Sequence, residues 1–259
     1  DNHGGLMNKK MFIAFYIDLE NIEKDIQLKN LMYNIKLRYD SENQEPIFAY
    51  KIACGHASAI NKYRDQLKEL NFDIRETPHI VKKKNRADLI ISLDAFEKFY
   101  INNPEVSLFV FLTNDSDFSV IMDLLRKYGR SVWLVTNEED SKRDIFRNCC
   151  DNIMLIEEYK LAAIQEKKEE LFNDIKTDKD KRTLKAMLYV LKSLNNDTQY
   201  DVVFLNNQFR KIENSIKLRY TVFKSFDRLY EYLDSKGVVK YTVVKGDKNI
   251  ISDINFDLI

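Results

Sequence analysis

Two groups of aspartates follow the two most apolar runs in the chain. Asp18 comes directly after Phe12–Ile17, and Asp115 and Asp117 come just after Val106–Leu112. Apolar runs of this length are typical of buried parallel strands. In an open α/β sheet, ligands bind beyond the carboxyl ends of the strands, where the strand order reverses. If the two runs form neighbouring strands at that point, these carboxylates converge in one crevice.

Three further polar residues are candidates for the same crevice. Asp88 opens a helical stretch, and Asn21 lies three residues after Asp18, where its amide can orient a ligand or bind a phosphate. Asp94 is a weaker candidate, because at 3.6 residues per turn it faces roughly 120° away from Asp88. It is a supporting group or a surface acid.

Carboxylates crowded into one crevice repel one another, and this repulsion raises their pKa values unless a cation compensates. Mg²⁺ or Mn²⁺ fits such an oxygen-only set of ligands better than zinc does. A cation held there lowers the pKa of a bound water and stabilises charge on a phosphodiester. The acids therefore suggest metal-dependent hydrolysis of a phosphodiester.

The competing interpretation of each aspartate is helix capping. An Asp that follows a strand often accepts the first backbone N–H of the next helix, and Asp115, Ser116 or Asp117 can do so. For any one aspartate, capping explains the residue as well as a metal site does. The joint arrangement is the more specific signal.

Basic residues lie next to the candidate acids. Lys82, Lys83, Lys84 and Arg86 immediately precede Asp88. Positive charges there would position a phosphate backbone that carboxylates alone repel, whereas the alternative is a solvated loop. Asn114 and Ser116 join them as candidate substrate-binding residues. A second basic set lies further along the chain and comprises Arg210, Lys211, Lys217, Arg219, Lys224 and Arg228.

The strands and helices that must position the acids are predicted from an alternation of short apolar runs and amphipathic stretches. This alternation is typical of a parallel α/β sheet. The predicted strands are Phe12–Ile17, Pro46–Ala53, Phe72–Arg75, Val106–Leu112, Ser131–Val135 and Ile153–Ile156. The predicted helices are Ile22–Arg38, Ser58–Leu70, Arg86–Tyr100 and Asp117–Tyr128.

The pattern changes after this region. Residues 159–181 are rich in Lys, Glu, Asp and Gln, which predicts an exposed helical linker. Residues 182–259 contain predicted helices at Thr183–Leu194 and Tyr220–Lys236, followed by a hairpin of Val238–Val244 and Ile250–Ile254. Helices followed by a terminal hairpin suggest a winged helix-turn-helix domain.

Composition excludes several classes of protein. Of the 259 residues 44% are hydrophobic and 32% charged, with 41 basic and 41 acidic side chains, so neither global disorder nor a uniformly basic nucleic-acid coat is expected. No apolar run approaches the roughly 20 residues of a membrane span. Three cysteines without a C-x-x-C pair indicate a reducing compartment, and we expect a cytoplasmic protein. Residues 1–8 are interpreted as an expression remnant.

The order of the motifs resembles a known family. Y-I-D-L-E-N-I, then K-x-x-x-A-D-L-I-I-S-L-D-A, then T-N-D-S-D-F is similar to the NYN domain, a branch of the PIN-like ribonucleases, and to its LabA-like bacterial group. The resemblance covers residues 9–158 and implies a Rossmann-like sheet with helices on both faces. Residues 182–259 also resemble the OST-HTH or LOTUS winged helix, which implies RNA or protein partners.

The resemblance also implies roles for individual residues. By position, Asp18, Asp88, Asp115 and Asp117 would bind Mg²⁺ or Mn²⁺. Asn21 and Asp94 also match polar positions of the family and complete the catalytic candidates. The sequence departs from the family at Leu19-Glu20 and at Thr113-Asn114, where small residues are common. These departures remove no carboxylate, but Glu20 adds negative charge near the crevice.

The sequence therefore predicts a metal-dependent endoribonuclease with a C-terminal winged helix. A non-catalytic RNA- or protein-binding regulator with the same fold and a Toprim-like Mg²⁺ nuclease are the alternatives. A phosphatase is disfavoured because Asp18-Leu19-Glu20 lacks a second Asp. A nucleotide-binding role is disfavoured because the chain has no Gly-rich phosphate loop. RNA is the expected partner, no membrane is expected, and the oligomeric state stays open, a homodimer included.

Overall fold

A computed structural model describes residues 9–22, 25–39, 44–77, 86–195 and 198–259. The chain divides into two compact units, Asp1–Lys160 and Leu161–Ile259. The interpretation of residues 1–8 and the predicted basic contacts of Lys82, Lys83 and Lys84 lie outside the described residues. In the part of the chain that is described, no helix combines the length and apolarity needed to cross a membrane.

The first unit is built on a six-stranded parallel sheet. Its strands are β1 (Lys9–Asp18), β2 (Gln44–Gly55), β3 (Asp73–Glu76), β4 (Val106–Leu112), β5 (Ser131–Thr136) and β6 (Asn152–Leu155). Its helices are α1 (Leu28–Tyr39), α2 (Ala57–Glu69), α3 (Ala87–Ile101), α4 (Ser119–Lys127), α5 (Glu138–Ser141) and α6 (Asp144–Cys149). The predicted strand Val106–Leu112 is confirmed at both ends.

Helices cover both faces of this sheet, as the alternating side chains of β1 illustrate. Ile13 and Phe15 point into a core shared with α1 and α2. Ala14 and Tyr16 point into a second core shared with α3, α4 and α6. A strand buried on both faces must be apolar throughout, which explains the continuous run in the sequence. The predicted α/β class with helices on both faces is confirmed.

The strand order is β3-β2-β1-β4-β5-β6, all parallel. The order reverses between β1 and β4, which are hydrogen-bonded neighbours with Ile17 opposite Leu112. Asp18 and the residues that follow Leu112 therefore emerge side by side at the switch point, where ligands bind in this class of fold. The predicted neighbourhood of the two apolar runs is confirmed.

Helix α1 begins six residues later than the sequence predicts. Asp18 caps a short 3₁₀ helix, Leu19–Asn21, instead of leading into α1. Ile26 then forms an antiparallel bridge with Lys160, and Asp25 adopts a left-handed backbone with φ of 73°. These extended and left-handed residues cannot be part of an α-helix, so the predicted start at Ile22 is wrong.

The second unit combines helices with a small antiparallel sheet. Its helices are α7 (Leu161–Asn173), α8 (Asp178–Lys192), α9 (Val202–Ile212) and α10 (Phe226–Ser235). Strands β7 (Tyr200–Asp201), β8 (Lys240–Thr242) and β9 (Ile250–Ser252) pair in the order β7-β9-β8. The predicted terminal hairpin is present as β8 and β9, with shorter strands.

One predicted helix start in this unit is wrong. The predicted helix Tyr220–Lys236 begins only at Phe226, because Lys224 is left-handed with φ of 65° and Ser225 caps α10. Residues 159–181 contain α7, a charged helix as the sequence predicts. Ile164 and Leu171 of α7 are buried in the core of the second unit, so the charged residues of this helix occupy only its outer face.

Candidate active site

Asp18 ends β1 and its carboxylate is buried, with 1% of the residue exposed. Its Oδ1 accepts the backbone N–H of Glu20 at 3.2 Å, which caps the 3₁₀ helix. Its Oδ2 accepts the Asn21 amide at 2.7 Å and the Thr113 hydroxyl at 2.9 Å. Capping therefore explains one of its oxygens, and the other points toward groups at the switch point.

Burial raises the pKa of Asp18 from 3.8 to about 6, against the opposing effect of the hydrogen bonds from Asn21, Thr113 and Glu20. The negative charge of Glu20 adds to the increase. A buried carboxylate with a raised pKa gains more from a nearby cation than a solvated one does, because water no longer stabilises its charge. Asp18 therefore has the properties of an inner cation ligand.

Asp115 and Asp117 lie at the neighbouring strand end. The backbone N–H of Asp115 donates to the Thr113 hydroxyl at 3.0 Å, and the Asp115 Oδ1 accepts the N–H of Asp117 at 3.0 Å. Asp115 thus caps the 3₁₀ helix Ser116–Phe118, as the competing interpretation expects. Through Thr113, Asp18 and Asp115 belong to one hydrogen-bonded group, while the Asp117 side chain is exposed to solvent.

Asn114 ties three strand ends together. Its Nδ2 donates to the Asn21 carbonyl at 2.8 Å, and its Oδ1 accepts the Thr136 hydroxyl at 2.7 Å and the Asn137 N–H at 3.3 Å. These contacts join the ends of β1, β4 and β5. Its predicted role in substrate binding thus falls on a side chain that already holds the rim of the crevice, beside half-buried Ser116.

Asp88 lies in the first turn of α3, which packs against β1, β2 and β4. Its Oδ1 is buried and has no hydrogen-bond partner among the described residues. Burial, followed by the charges of Asp18, Glu20 and Asp88, raises the pKa of the Cys54 thiol to about 12. Cys54 pairs with Asp18 in the β1–β2 register, and the charges of all three acids act on its thiol.

Asp94 belongs to a different cluster. Its carboxylate pairs with the Arg75 guanidinium at 2.8 Å and with the Lys98 ammonium at 3.9 Å, and it accepts the Tyr16 hydroxyl at 2.9 Å. Two cations and a hydroxyl already compensate this buried charge. The structure thus gives Asp94 the properties of a supporting group that fixes α3 against β1 and β3.

The described residues do not hold a preformed metal cage. No three Asp, Glu, His or Cys side chains among them are gathered closely enough to bind an ion as they stand. The chemistry of the acids nevertheless fits a hard cation, because they offer only oxygen. In addition, the buried Asp88 Oδ1 has no hydrogen-bond partner in the part of the chain that the structure describes, although such atoms normally have one. Binding would require the more exposed Asp115 and Asp117 to turn toward Asp18 and Asp88.

Sequence reasoning missed the groups that brace the site. Thr113 links Asp18 to Asp115, although the sequence shows it only as a departure from the family motif. The Thr77 hydroxyl donates to Glu20 Oε1 at 2.9 Å and so connects the 3₁₀ helix to the residue that follows β3. Both threonines directly follow a strand, and this position is the feature of the sequence that could have indicated their role. Exposed Arg86, the residue before α3, is the only member of the basic run among the described residues.

No curated protein matches the chain. A crystal structure of a protein of unknown function from Vibrio parahaemolyticus RIMD 2210633 is similar, with 19% identity and a TM-score of 0.46, over 59% of this chain and 97% of that one. The family model of the NYN domain matches residues 12–157, more than half of the chain. The chain belongs to the NYN domain family.

Proposed function

We propose that this protein is a metal-dependent endoribonuclease. NYN domains are typically nucleases of the PIN-like type, and such nucleases usually use divalent metal ions. In this proposal Asp18, Asp88, Asp115 and Asp117 hold Mg²⁺ or Mn²⁺, and the substrate is RNA. When bound, the ion supplies a Lewis acid that lowers the pKa of water and neutralises charge on the phosphodiester.

The side chains of the site have distinct tasks in the proposal. Asn21 and Thr113 donate to Asp18 and fix the direction of its carboxylate. Asn114 keeps the two strand ends at a constant separation. Lys82, Lys83, Lys84 and Arg86 would attract the phosphate backbone toward acids that alone would repel it.

The observation that carries the proposal is the Oδ1 of Asp88, which is buried and has no hydrogen-bond partner among the described residues. A buried polar oxygen without a hydrogen-bond partner usually has a functional reason. A cation shared with Asp18 supplies that reason.

A non-catalytic regulator that binds RNA or protein is the second candidate. It is favoured by the lack of a preformed three-ligand metal cage among the described residues. A pure binder needs no metal and tolerates separated acids. Membership of the NYN family leaves no basis for the Toprim-like and phosphatase alternatives.

The second unit supports a winged-helix assignment within this proposal. Helix α8, strand β7, helices α9 and α10 and the β8–β9 hairpin follow one another, and β9 lies between β7 and β8. That order is compatible with a helix-turn-helix followed by a wing. The OST-HTH type and the LabA-like group remain proposals.

Cleavage of a labelled single-stranded RNA in the presence of Mn²⁺ tests the catalytic proposal. We expect the Asp115→Asn/Asp117→Asn variant to lose at least about a hundredfold in rate, because the ion would lose half of its protein ligands. The control variant Asp65→Asn/Asp123→Asn changes two exposed aspartates on α2 and α4 and should cleave normally. Equal metal-dependent rates for the wild type and the site variant would refute the catalytic assignment.

A further inference from the structure

We propose that the second unit carries a binding site for single-stranded RNA, in which Arg210, Lys217 and Arg219 contact phosphates and Tyr220 stacks on a base. We call the cavity lined by these three cations the basic cleft. The inference deepens the proposed function and rests on it for the choice of RNA as the ligand. It does not require that the acids of the first unit catalyse cleavage.

The basic cleft is a cavity of about 450 Å³ between α9 and the start of α10. Phe209 and Phe226 form part of its wall, with their rings edge to face at 5.3 Å. The Arg210 guanidinium lies 5.6 Å from the centre of the Phe226 ring. The aromatic wall therefore holds this cation at the cleft without neutralising its charge.

The positive charge of the basic cleft is not compensated locally. Glu213 also lines the cavity, but its carboxylate accepts the Arg182 guanidinium at 2.6 Å and the hydroxyl and N–H of Ser215. The Ser215 hydroxyl, followed by Arg182, keeps the pKa of Glu213 below its usual range. Arg210, Lys217 and Arg219 form no ion pair with any carboxylate in the described ranges. Anionic groups of a ligand are the natural partners of these three cations.

Tyr220 supplies an aromatic surface beside these charges. The residue is 66% exposed, and its ring lies 5.4 Å from the Arg219 guanidinium and 6.0 Å from the Lys179 ammonium. An exposed aromatic ring flanked by cations fits a nucleotide, whose base stacks on the ring while its phosphate meets the charges. An acidic peptide would use the cations and leave the ring unused.

Buried neighbours and hydrogen bonds hold the segment that carries Arg219 and Tyr220 in place. Its neighbours Leu218 and Thr221 are buried, and the Thr221 hydroxyl donates to the Leu218 carbonyl at 2.7 Å. The Val222 N–H donates to the buried Asp180 carboxylate of α8 at 2.9 Å. Because the backbone is fixed on both sides, ordering the segment on binding costs little entropy. The site is thus preorganised for a flexible strand.

The Tyr220 ring is the reason for proposing single-stranded rather than double-stranded RNA as the ligand. A base can stack on Tyr220 only when it is not already stacked in a duplex, whereas phosphate contacts are available from either form. Single-stranded and double-stranded RNA of equal length therefore separate the two kinds of contact. Losing Tyr220 should affect only the single strand.

Fluorescence anisotropy with a labelled oligouridine of about 12 nucleotides tests the site. The protein is the full chain with Asp115→Asn and Asp117→Asn, so that the RNA is not cut. Tyr220→Ala should weaken binding about tenfold. Tyr189→Ala is the matched control, since Tyr189 on α8 is also 66% exposed but has no cation over its ring in the described chain; it should change affinity less than twofold.

Salt dependence tests the phosphate contacts separately. Removing two such contacts with Lys217→Gln/Arg219→Gln should lower the slope of log affinity against log salt by about 1.4. Lys185→Gln/Lys192→Gln changes two exposed lysines of α8 and should leave the slope unchanged.

The proposal is overturned if Tyr220→Ala and Tyr189→Ala bind alike, if a duplex loses as much affinity as the single strand on Tyr220→Ala, or if polyglutamate displaces the RNA as well as unlabelled oligouridine does. RNA cleavage by the wild type is measured in a separate assay from RNA binding. A chain that binds in the expected pattern but never cleaves would refute the nuclease proposal and leave this site intact.

Discussion

Asp18 shows how one residue can serve both local structure and a site. Its Oδ1 caps a 3₁₀ helix, and its Oδ2 accepts two side-chain donors at the switch point. Capping and ligand binding were competing interpretations of the sequence, yet a carboxylate has room for both because each oxygen accepts about two hydrogen bonds. The position after a strand could be predicted from the sequence. The partners could not, because Thr113 is 95 residues away.

The raised pKa of Asp18 predicts a pH-dependent contribution to stability. Folding raises this pKa from 3.8 to about 6, so the folded state binds the proton more tightly than the unfolded state. The contribution is fully present below about pH 4 and is lost as pH rises through 6, by about 3 kcal/mol at most. Urea unfolding of chelator-treated wild type and Asp18→Asn at several pH values measures it.

The informative quantity is the difference in unfolding free energy between wild type and Asp18→Asn. Asparagine does not titrate, so this difference should shift against the wild type as pH rises from 4 to 7. A difference that stays constant over this range would contradict the raised pKa.

At the scale of elements, the site depends on close contact between β2 and the 3₁₀ helix Leu19–Asn21. Gly55 ends β2, and a methyl group there would lie 2.9 Å from the Leu19 Cβ, closer than real packing allows. Glu20, in the same 3₁₀ helix, is held by Thr77 after β3. The helix that Asp18 caps therefore has no room to move closer to β2.

Gly55→Ala should destabilise the protein by about 1–3 kcal/mol and lower Mn²⁺-dependent RNA cleavage, because the 3₁₀ helix must move away from β2. Thermal unfolding and the cleavage assay measure the two effects. Gly129→Asn is the control: Gly129 is left-handed with φ of 81° and has open space around it, and asparagine tolerates that conformation. Equal effects of the two substitutions would argue against a contact-specific role for Gly55.

The strands were the most predictable elements. Val106–Leu112 is buried on both faces, so its composition alone marks it. Helix α9 was not predicted, because exposed apolar side chains such as Val203 and Phe204 obscure the buried face of Val202, Leu205 and Phe209. The ion pair of Asp94 with Arg75 could not be predicted either, because it joins α3 to a strand with no sequence signal for the pairing.

At the scale of the whole molecule, two units with separate cores divide the proposed tasks. The first presents acids at a switch point, and the second presents unpaired cations around a cavity. The balanced total of 41 basic and 41 acidic residues conceals this division. Net charge therefore gave no guide to an RNA-binding surface, whereas the local distribution does.

The assignment of α7 to the second unit predicts unequal effects of two leucines in that helix. Leu171→Ala should lower the unfolding free energy by about 2–4 kcal/mol, because Leu171 is 1% exposed and its removal leaves a cavity. Leu161→Ala, at a position that is 43% exposed, should change it by less than about 1 kcal/mol. Chemical denaturation measures both. Similar small effects of the two substitutions would favour the predicted linker over a helix packed into the second unit.

Calorimetric titration with Mn²⁺ in the absence of RNA tests the central claim, which is that aspartates from distant parts of the chain share a divalent ion. We expect the wild type to bind Mn²⁺, Asp88→Asn to lose at least about tenfold in affinity, and Asp65→Asn on the exposed face of α2 to bind normally. Loss of Mn²⁺ binding in Asp88→Asn with intact folding is the result that the account predicts. A wild type that takes up no Mn²⁺, or an Asp88→Asn variant that binds it as well as Asp65→Asn does, would contradict it.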